Sequence, residues 1–371
     1  MSALPPLPLP PGIRARLVSG VNGLTMHVLE AGYETPGRPA VLLLHGFPEL
    51  AYSWRKVLPA LGAAGYHAIA PDQRGYGRTT GWDGRYDGDV ASFRMLNLAS
   101  DAAALLQALG LTAVAAVVGH DFGARIAAYA ALTKPETFRS LVLMSTPFSG
   151  APSGLPPASV HAALAALRPP RKHYQWYYSG REAAADMRNA AQGLHAFLRA
   201  YFHVKSADWP HNAPHPLKEL SAAELARLPT YYVMELDKGM AETVRPHMPS
   251  PAHVAACRWL PEQELAVFTG EFARTGFQGG LNWYRCTTAL DHIAELRPLI
   301  GRTIRVPAAF IAGKSDWGVY QFPGAFESMR SAVCEQMTAC HIVDGAGHWL
   351  QQEKPDETNR LLVDFLKNLP A

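Results

Sequence analysis

The sequence predicts an α/β protein: a mostly parallel central sheet flanked by helices, interrupted by a helical insertion. Three observations carry this expectation. Short, continuously apolar runs alternate with segments of helical spacing from residue 24 to residue 145. Runs that are apolar without alternation read as strands buried on both faces, as parallel sheets require. The alternation then stops over residues 146–297 and resumes after them, and a loop of that length without structure of its own is untenable in a compact chain.

The elements follow in order. Residues 24–30 alternate apolar and polar, a half-buried strand, whereas 40–45 and 68–71 are continuous buried runs. Residues 97–109 carry helical spacing, 113–119 form a third buried run, 124–133 read as helix and 141–145 as strand. The intervening segment offers helical pieces at 181–201, 222–228 and 262–274 and no clear buried strand. Strand 306–312 ends at Gly313, 322–332 reads as helix, 340–343 as a short strand and 357–369 as an amphipathic helix. The expected division is a core of residues 1–147 and 298–371 with a helical cap at 148–297.

Composition narrows the function. With 34 basic and 31 acidic residues among 371 the net charge is +3, and no block of five like charges occurs, which argues against a nucleic-acid surface. At 48% hydrophobic and 18% charged residues the chain can bury a large core. No apolar run reaches the ~18 residues of a membrane span. Residues 1–11, rich in Pro and Leu, lack a basic start and read as an extended surface arm rather than a signal peptide. Cys257, Cys286, Cys334 and Cys340 show no Cys-x-x-Cys spacing and read as reduced thiols of a cytoplasmic protein. The cap histidines His195, His203, His211, His215 and His247 show no metal-ligand pattern, so no metal or other cofactor is expected.

The chemistry lies at strand ends. Gly119-His120-Asp121-Phe122-Gly123 sits where a buried strand meets a helix and has the Gly-x-nucleophile-x-Gly form of a nucleophile elbow, with Asp in the central place. An N-cap role for Asp121 is the structural alternative. His45-Gly46-Phe47-Pro48 follows another buried strand, and the N–H groups of Phe47 and Phe122 together suit an oxyanion hole. His45 itself reads as structural. His348, in Gly345-Ala346-Gly347-His348-Trp349, is the expected general base, and Asp316, in Gly313-Lys314-Ser315-Asp316, its orienting acid. A carboxylate nucleophile displaces at saturated carbon and leaves an ester that water can cleave, which argues against ordinary esterase or protease chemistry. Trp176, Trp283, Trp317 and Trp349 suit either an apolar substrate pocket or the core.

On these residues the chain resembles the α/β-hydrolase fold, and within it the soluble epoxide hydrolases. The likeness runs through His45-Gly46-Phe47-Pro48-Glu49, Tyr52-Ser53-Trp54-Arg55, Asp72-Gln73-Arg74-Gly75-Tyr76-Gly77-Arg78-Thr79 and Gly119-His120-Asp121. In the cap, Leu281-Asn282-Trp283-Tyr284-Arg285 is similar to the family segment supplying one catalytic tyrosine, and Tyr174-Gln175-Trp176-Tyr177 to that supplying the other. Tyr177, Tyr178, Tyr231 and Tyr232 remain alternatives to Tyr174. The resemblance implies a cis peptide before Pro48, attack by Asp121 on an epoxide carbon, alkoxide stabilisation by Tyr174 and Tyr284, and ester hydrolysis by His348-activated water to a vicinal diol. It implies a small apolar epoxide and water as partners, no nucleic acid or membrane, and a monomer or homodimer. Relatives commonly carry Trp where Phe122 stands. The rival readings are a haloalkane dehalogenase, whose halide needs N–H donors that Phe47 and Phe122 side chains lack, and a non-catalytic ligand-binding homologue.

Overall fold

The computed structural model describes residues 4–156 and 158–369. Ten strands occur among them: β1 (Ile13–Val21), β2 (Leu24–Ala31), β3 (Ala40–Leu44), β4 (His67–Pro71), β5 (Ala116–His120), β6 (Leu141–Met144), β7 (Arg171–His173), β8 (Val233–Glu235), β9 (Ile304–Gly313) and β10 (Cys334–Val343). Eight of them form one sheet in the order β1-β2-β4-β3-β5-β6-β9-β10. The pairings from β4 to β10 are parallel, and β1 and β2 are added antiparallel at one edge.

The continuous apolar runs have a direct cause. Side chains alternate between the two faces of a strand, and here both faces are covered. Leu42 and Leu44 of β3, Val117 of β5, and Leu141 and Leu143 of β6 enter one core layer with helices Met95–Ala108 and Phe122–Thr133. Val41, Leu43, Val118, Val142 and Met144 enter the other, with Leu58, Leu61, Leu361, Leu362 and Phe365 from helices Leu58–Ala63 and Pro355–Lys367. At roughly 1.5–3 kcal/mol for each fully buried aliphatic side chain, these two layers hold the sheet between its helices.

Several elements differ from the expectation. β1 lacks a signal because it is an edge strand whose side chains are mostly exposed, Leu17 among them. β10 runs for ten residues where four were expected, because its outer flank at the opposite edge needs no apolar pattern. The helix expected at 181–201 is two, Ala183–Arg188 and Leu194–Lys205, broken where Gly193 takes φ +83°. Residues 322–332 give only two short turns, because Pro323 and left-handed Gly324 delay the start. The insertion between β6 and β9 holds a two-stranded antiparallel ribbon, β7 and β8, too short to leave a periodic trace. Residues 1–3 of the expected arm lie outside the described residues. Beyond them Leu7 and Leu9 pack on the core, and the Tyr52 hydroxyl donates to the Pro8 carbonyl at 3.2 Å.

This topology fixes where a site forms. The chain leaves β3 for β4 on one side and then starts β5 on the other, so the strand order reverses between β3 and β5 and opens a crevice at their carboxyl ends. The insertion is pinned above that crevice. Arg78 pairs with Glu271 at 2.8 Å, Lys56 donates to the Trp259 carbonyl at 2.8 Å, and the Trp283 indole N–H donates to the Arg74 carbonyl at 3.0 Å. No described helix is long and apolar enough to cross a membrane.

Candidate active site

Four of the residues expected to act follow the carboxyl ends of parallel strands: Phe47 after β3, Asp121 after β5, Asp316 after β9 and His348 after β10. Asp121 sits at φ +53°, a conformation a non-glycine residue adopts only when its surroundings impose it. The surroundings here are backbone in close approach. A Cβ on Gly119 would stand 2.2 Å from the Gly123 carbonyl, and one on Gly123 would stand 2.3 Å from the Leu44 carbonyl. Only glycines let strand, elbow and helix come this near. The Phe47–Pro48 peptide is cis, as the resemblance implied, and so is Arg168–Pro169.

The Phe47 N–H donates to Asp121 Oδ1 at 3.1 Å. Phe122 opens the helix, so its N–H has no intrahelical acceptor. Asp121 Oδ2 is 3.4 Å from His348 Nε2. On the far side of the ring His348 Nδ1 is 3.1 Å from Asp316 Oδ1 and 2.9 Å from the Ser145 hydroxyl. Asp316 in turn accepts the Gly318 N–H at 2.7 Å. Nδ1 faces a carboxylate and so carries a proton, and Nε2 is the ring nitrogen on the Asp121 side.

The Asp121 side chain makes no capping bond, so the helix-cap alternative is not what engages this carboxylate. Burial alone would raise its carboxyl. The His348 ring, the Lys205 ammonium and the His120 imidazolium outweigh that and hold it well below the usual carboxylate range. His120 is charged for a structural reason. Its Nδ1 is 2.6 Å from Glu49 and its Nε2 is 2.7 Å from the His348 carbonyl, two acceptors that demand two N–H groups. Despite full burial, Glu49 lifts the His120 pKa to about 9. His45, by contrast, is neutral: its Nδ1 faces the Gly46 carbonyl at 2.9 Å, its Nε2 accepts the Gln73 N–H at 3.1 Å, and burial lowers its pKa.

The two tyrosines arrive from the insertion. Tyr284 lies on helix Gln278–Thr287 and its ring packs on Phe47 at 5.5 Å and Phe122 at 5.1 Å between centroids. Tyr174 opens helix Tyr174–Ser179, 6.0 Å from the Tyr284 ring. Its hydroxyl donates to Gln321 Oε1 and accepts from Gln175 Nε2, both at 3.2 Å. Burial first, and the Asp121 charge second, push both phenols upward, so each is a neutral O–H donor at neutral pH. Three of the alternatives to Tyr174 have local partners: the hydroxyl of Tyr177 bonds Asp186, that of Tyr178 donates to Tyr201 at 3.1 Å, and that of Tyr231 donates to Asn212 at 2.7 Å. The Tyr232 ring packs against Tyr174 at 5.1 Å.

The tryptophans divide. Trp176 lines a cleft of about 380 Å³ together with Phe148, Arg125, Phe322 and Gln175, the last of which touches Tyr174. Trp283 is fully buried behind Phe122. Trp317 packs under His215, and Trp349 stacks edge-on against His348 at 4.6 Å with its N–H given to the Phe202 carbonyl. Among the described residues no three His, Cys, Asp or Glu side chains converge as metal ligands. The four cysteines are unpaired, two buried and two half-buried.

Four further site residues were given no role by the sequence reading. Ser145 and the Glu49–His120 pair are brought in by β6 and by the β3 and β5 loops. Lys205, from the insertion, puts its Nζ 3.5 Å from His348 Nε2. No local pattern marks any of them, because their partners are distant in the chain.

Comparison with known proteins agrees with this fold. The sequence model of the alpha/beta hydrolase fold family matches residues 39–355. Epoxide hydrolase A of Mycobacterium tuberculosis is 33% identical over 361 residues, covering 95% of this chain and 97% of that protein. Epoxide hydrolase 2 of Siraitia grosvenorii is 32% identical, covering 93% and 96%. The solved structure of an epoxide hydrolase from an endophytic Streptomyces superposes with a TM-score of 0.78 at 32% identity, covering 96% of each chain. That of potato epoxide hydrolase I does so with a TM-score of 0.72 at 29% identity, covering 96% of this chain and all of that one. With its sheet topology, its carboxylate elbow and these full-length likenesses, the chain belongs to the α/β-hydrolase-fold family and, within it, to the epoxide hydrolases.

Proposed function

We propose that this protein hydrolyses epoxides to vicinal diols through a covalent ester on Asp121, with residues 148–297 acting as the cap over a core of 1–147 and 298–371. One observation carries the reading: an ionised carboxylate on the elbow is flanked by the Phe47 N–H and His348, with the Tyr174 and Tyr284 rings gathered beside it. In the first step Asp121 Oδ2 attacks a ring carbon. The carbon–oxygen bond breaks, and the leaving oxygen takes the proton of one tyrosine while the other donates a hydrogen bond. Tyr174 does this by turning its O–H from Gln321, a bond of 3.2 Å that is exchanged at little cost.

In the second step water gives a proton to His348 Nε2 and attacks the ester carbon of Asp121. Asp316 and Ser145 steady the imidazolium, and the N–H groups of Phe47 and Phe122 hold the tetrahedral oxyanion. Collapse releases the alkoxide, which takes the proton from His348, and the proton left on Asp121 returns to the tyrosinate. The sum is epoxide plus water to diol, with the protein unchanged. The four unpaired thiols favour a reducing compartment, the cytoplasm. The substrates are a small apolar epoxide and water, and the protein acts as a monomer or homodimer; the scheme needs no second subunit.

The halide-releasing alternative shares Asp121 and His348 but needs N–H donors on the leaving group, which the Phe47 and Phe122 side chains do not supply. Incubating the wild-type protein with styrene oxide and with 1-bromobutane, with diol and bromide measured separately, distinguishes the two. Diol formation without bromide release is the expected result. Bromide release without diol formation overturns the reading.

A further inference from the structure

Lys205 is the last residue of helix Leu194–Lys205 and is 3% exposed. It forms no ion pair among the described residues, yet a lone buried ammonium is costly unless opposite charge compensates it. Its Nζ is ringed by aromatic faces, Tyr232 at 5.0 Å, Tyr201 at 5.4 Å, Trp349 at 5.6 Å and Tyr231 at 5.9 Å, and its one close polar neighbour is His348 Nε2 at 3.5 Å. The same residue's carbonyl accepts the His348 N–H at 2.8 Å, so the helix end grips the base loop twice. The charged groups facing the ammonium are Asp121 from the elbow, Asp316 from the turn after β9 and Glu49 from the loop after β3. Burial lowers its pKa, and these three carboxylates oppose that.

The reaction itself changes this balance. In the resting site the Asp121 charge compensates the ammonium. Ester formation neutralises Asp121 and moves the negative charge to a cap tyrosinate, so Lys205 is left beside His348 without the Asp121 anion. With Nζ and Nε2 3.5 Å apart, a water that donates to Nε2 would have Nζ within hydrogen-bond reach. Building on the two-step reading above, we infer that Lys205 is a further catalytic residue of the second step, whose ammonium stabilises the hydroxide character of the hydrolytic water once Asp121 has been esterified. The ammonium keeps its own protons throughout; the water proton goes to His348.

The test is single-turnover kinetics on Lys205→Met and Lys205→Arg with styrene oxide, following ester formation and decay by quenched-flow mass spectrometry, with thermal unfolding as the check on the fold. Met fills the same space without a buried charge, so the variant is expected to fold. In Lys205→Met the decay of the ester slows by about 10²-fold, the scale of removing one stabilising group from a developing anion, while ester formation stays within a few-fold. The ester accumulates. Lys205→Arg recovers part of the rate. Equal slowing of both steps, or a decay rate unchanged in Lys205→Met, overturns the role of Lys205. Absence of any covalent ester in the wild-type protein overturns instead the two-step reading on which it rests.

Discussion

Asp121→Ala is expected to fold and to lose turnover of every epoxide by about 10⁴-fold or more, the scale seen when a nucleophile is removed from a covalent mechanism. The fold survives because the elbow is shaped by Gly119 and Gly123 against the backbone of Leu44 and His45, none of which involves the carboxylate. What is lost is the attacking oxygen, and no neighbour replaces it. Glu49 is engaged by the Gly46 N–H, His120 and Gln351, and Asp316 lies behind His348. Removing the anion also leaves Lys205 and His120 as neighbouring cations without it, so unfolding by urea is expected to show a lower midpoint with an unchanged slope. Measured diol formation near the wild-type rate in this variant would remove Asp121 from the mechanism.

The paired change Tyr174→Phe, Tyr284→Phe is expected to have the next largest effect. Each phenol is a buried neutral donor placed beside Asp121, and loss of one such donor to a developing oxyanion costs about 10²-fold. The two donors serve one oxygen, so removing both costs more than either alone and is not a simple product. The slowed step is ester formation; decay of the ester, measured separately, is expected to be near wild type. Tyr284→Phe is isosteric within a cluster of Phe47, Phe122 and Tyr178 and leaves the packing intact. Tyr174→Phe also breaks the contacts to Gln175 and Gln321, about 1 kcal/mol of stability. A double variant that opens epoxides at the wild-type rate would show that the tyrosines pack and do no chemistry.

How much of this was legible in the sequence follows from how local each feature is. The elbow declares itself within five residues because a carboxylate at a sharp strand-to-helix turn needs small neighbours on both sides. Asp316 and His348 were found because each sits on a short loop just past an apolar run. The doubly buried strands β3, β5 and β6 were equally plain. The edge strand β1 was missed because exposed strands need no apolar pattern. Lys205 was missed for a different reason: its meaning comes from 143 residues further along the chain, where His348 stands. Ser145 and the His120–Glu49 pair are the same case. Of the four tryptophans, Trp283, Trp317 and Trp349 are packed behind the site, and residue type alone cannot separate a ring that lines a cleft from one that supports it.

The central claim is that Asp121 carries the substrate and His348 frees it. Intact-protein mass spectrometry of His348→Gln after mixing with styrene oxide tests this most directly, because loss of the base stalls the second step and leaves the first. The expected result is a mass gain equal to the whole epoxide, mapped by peptide fragmentation to Asp121. A folded variant that gains no mass, or gains it at another residue, would contradict the account.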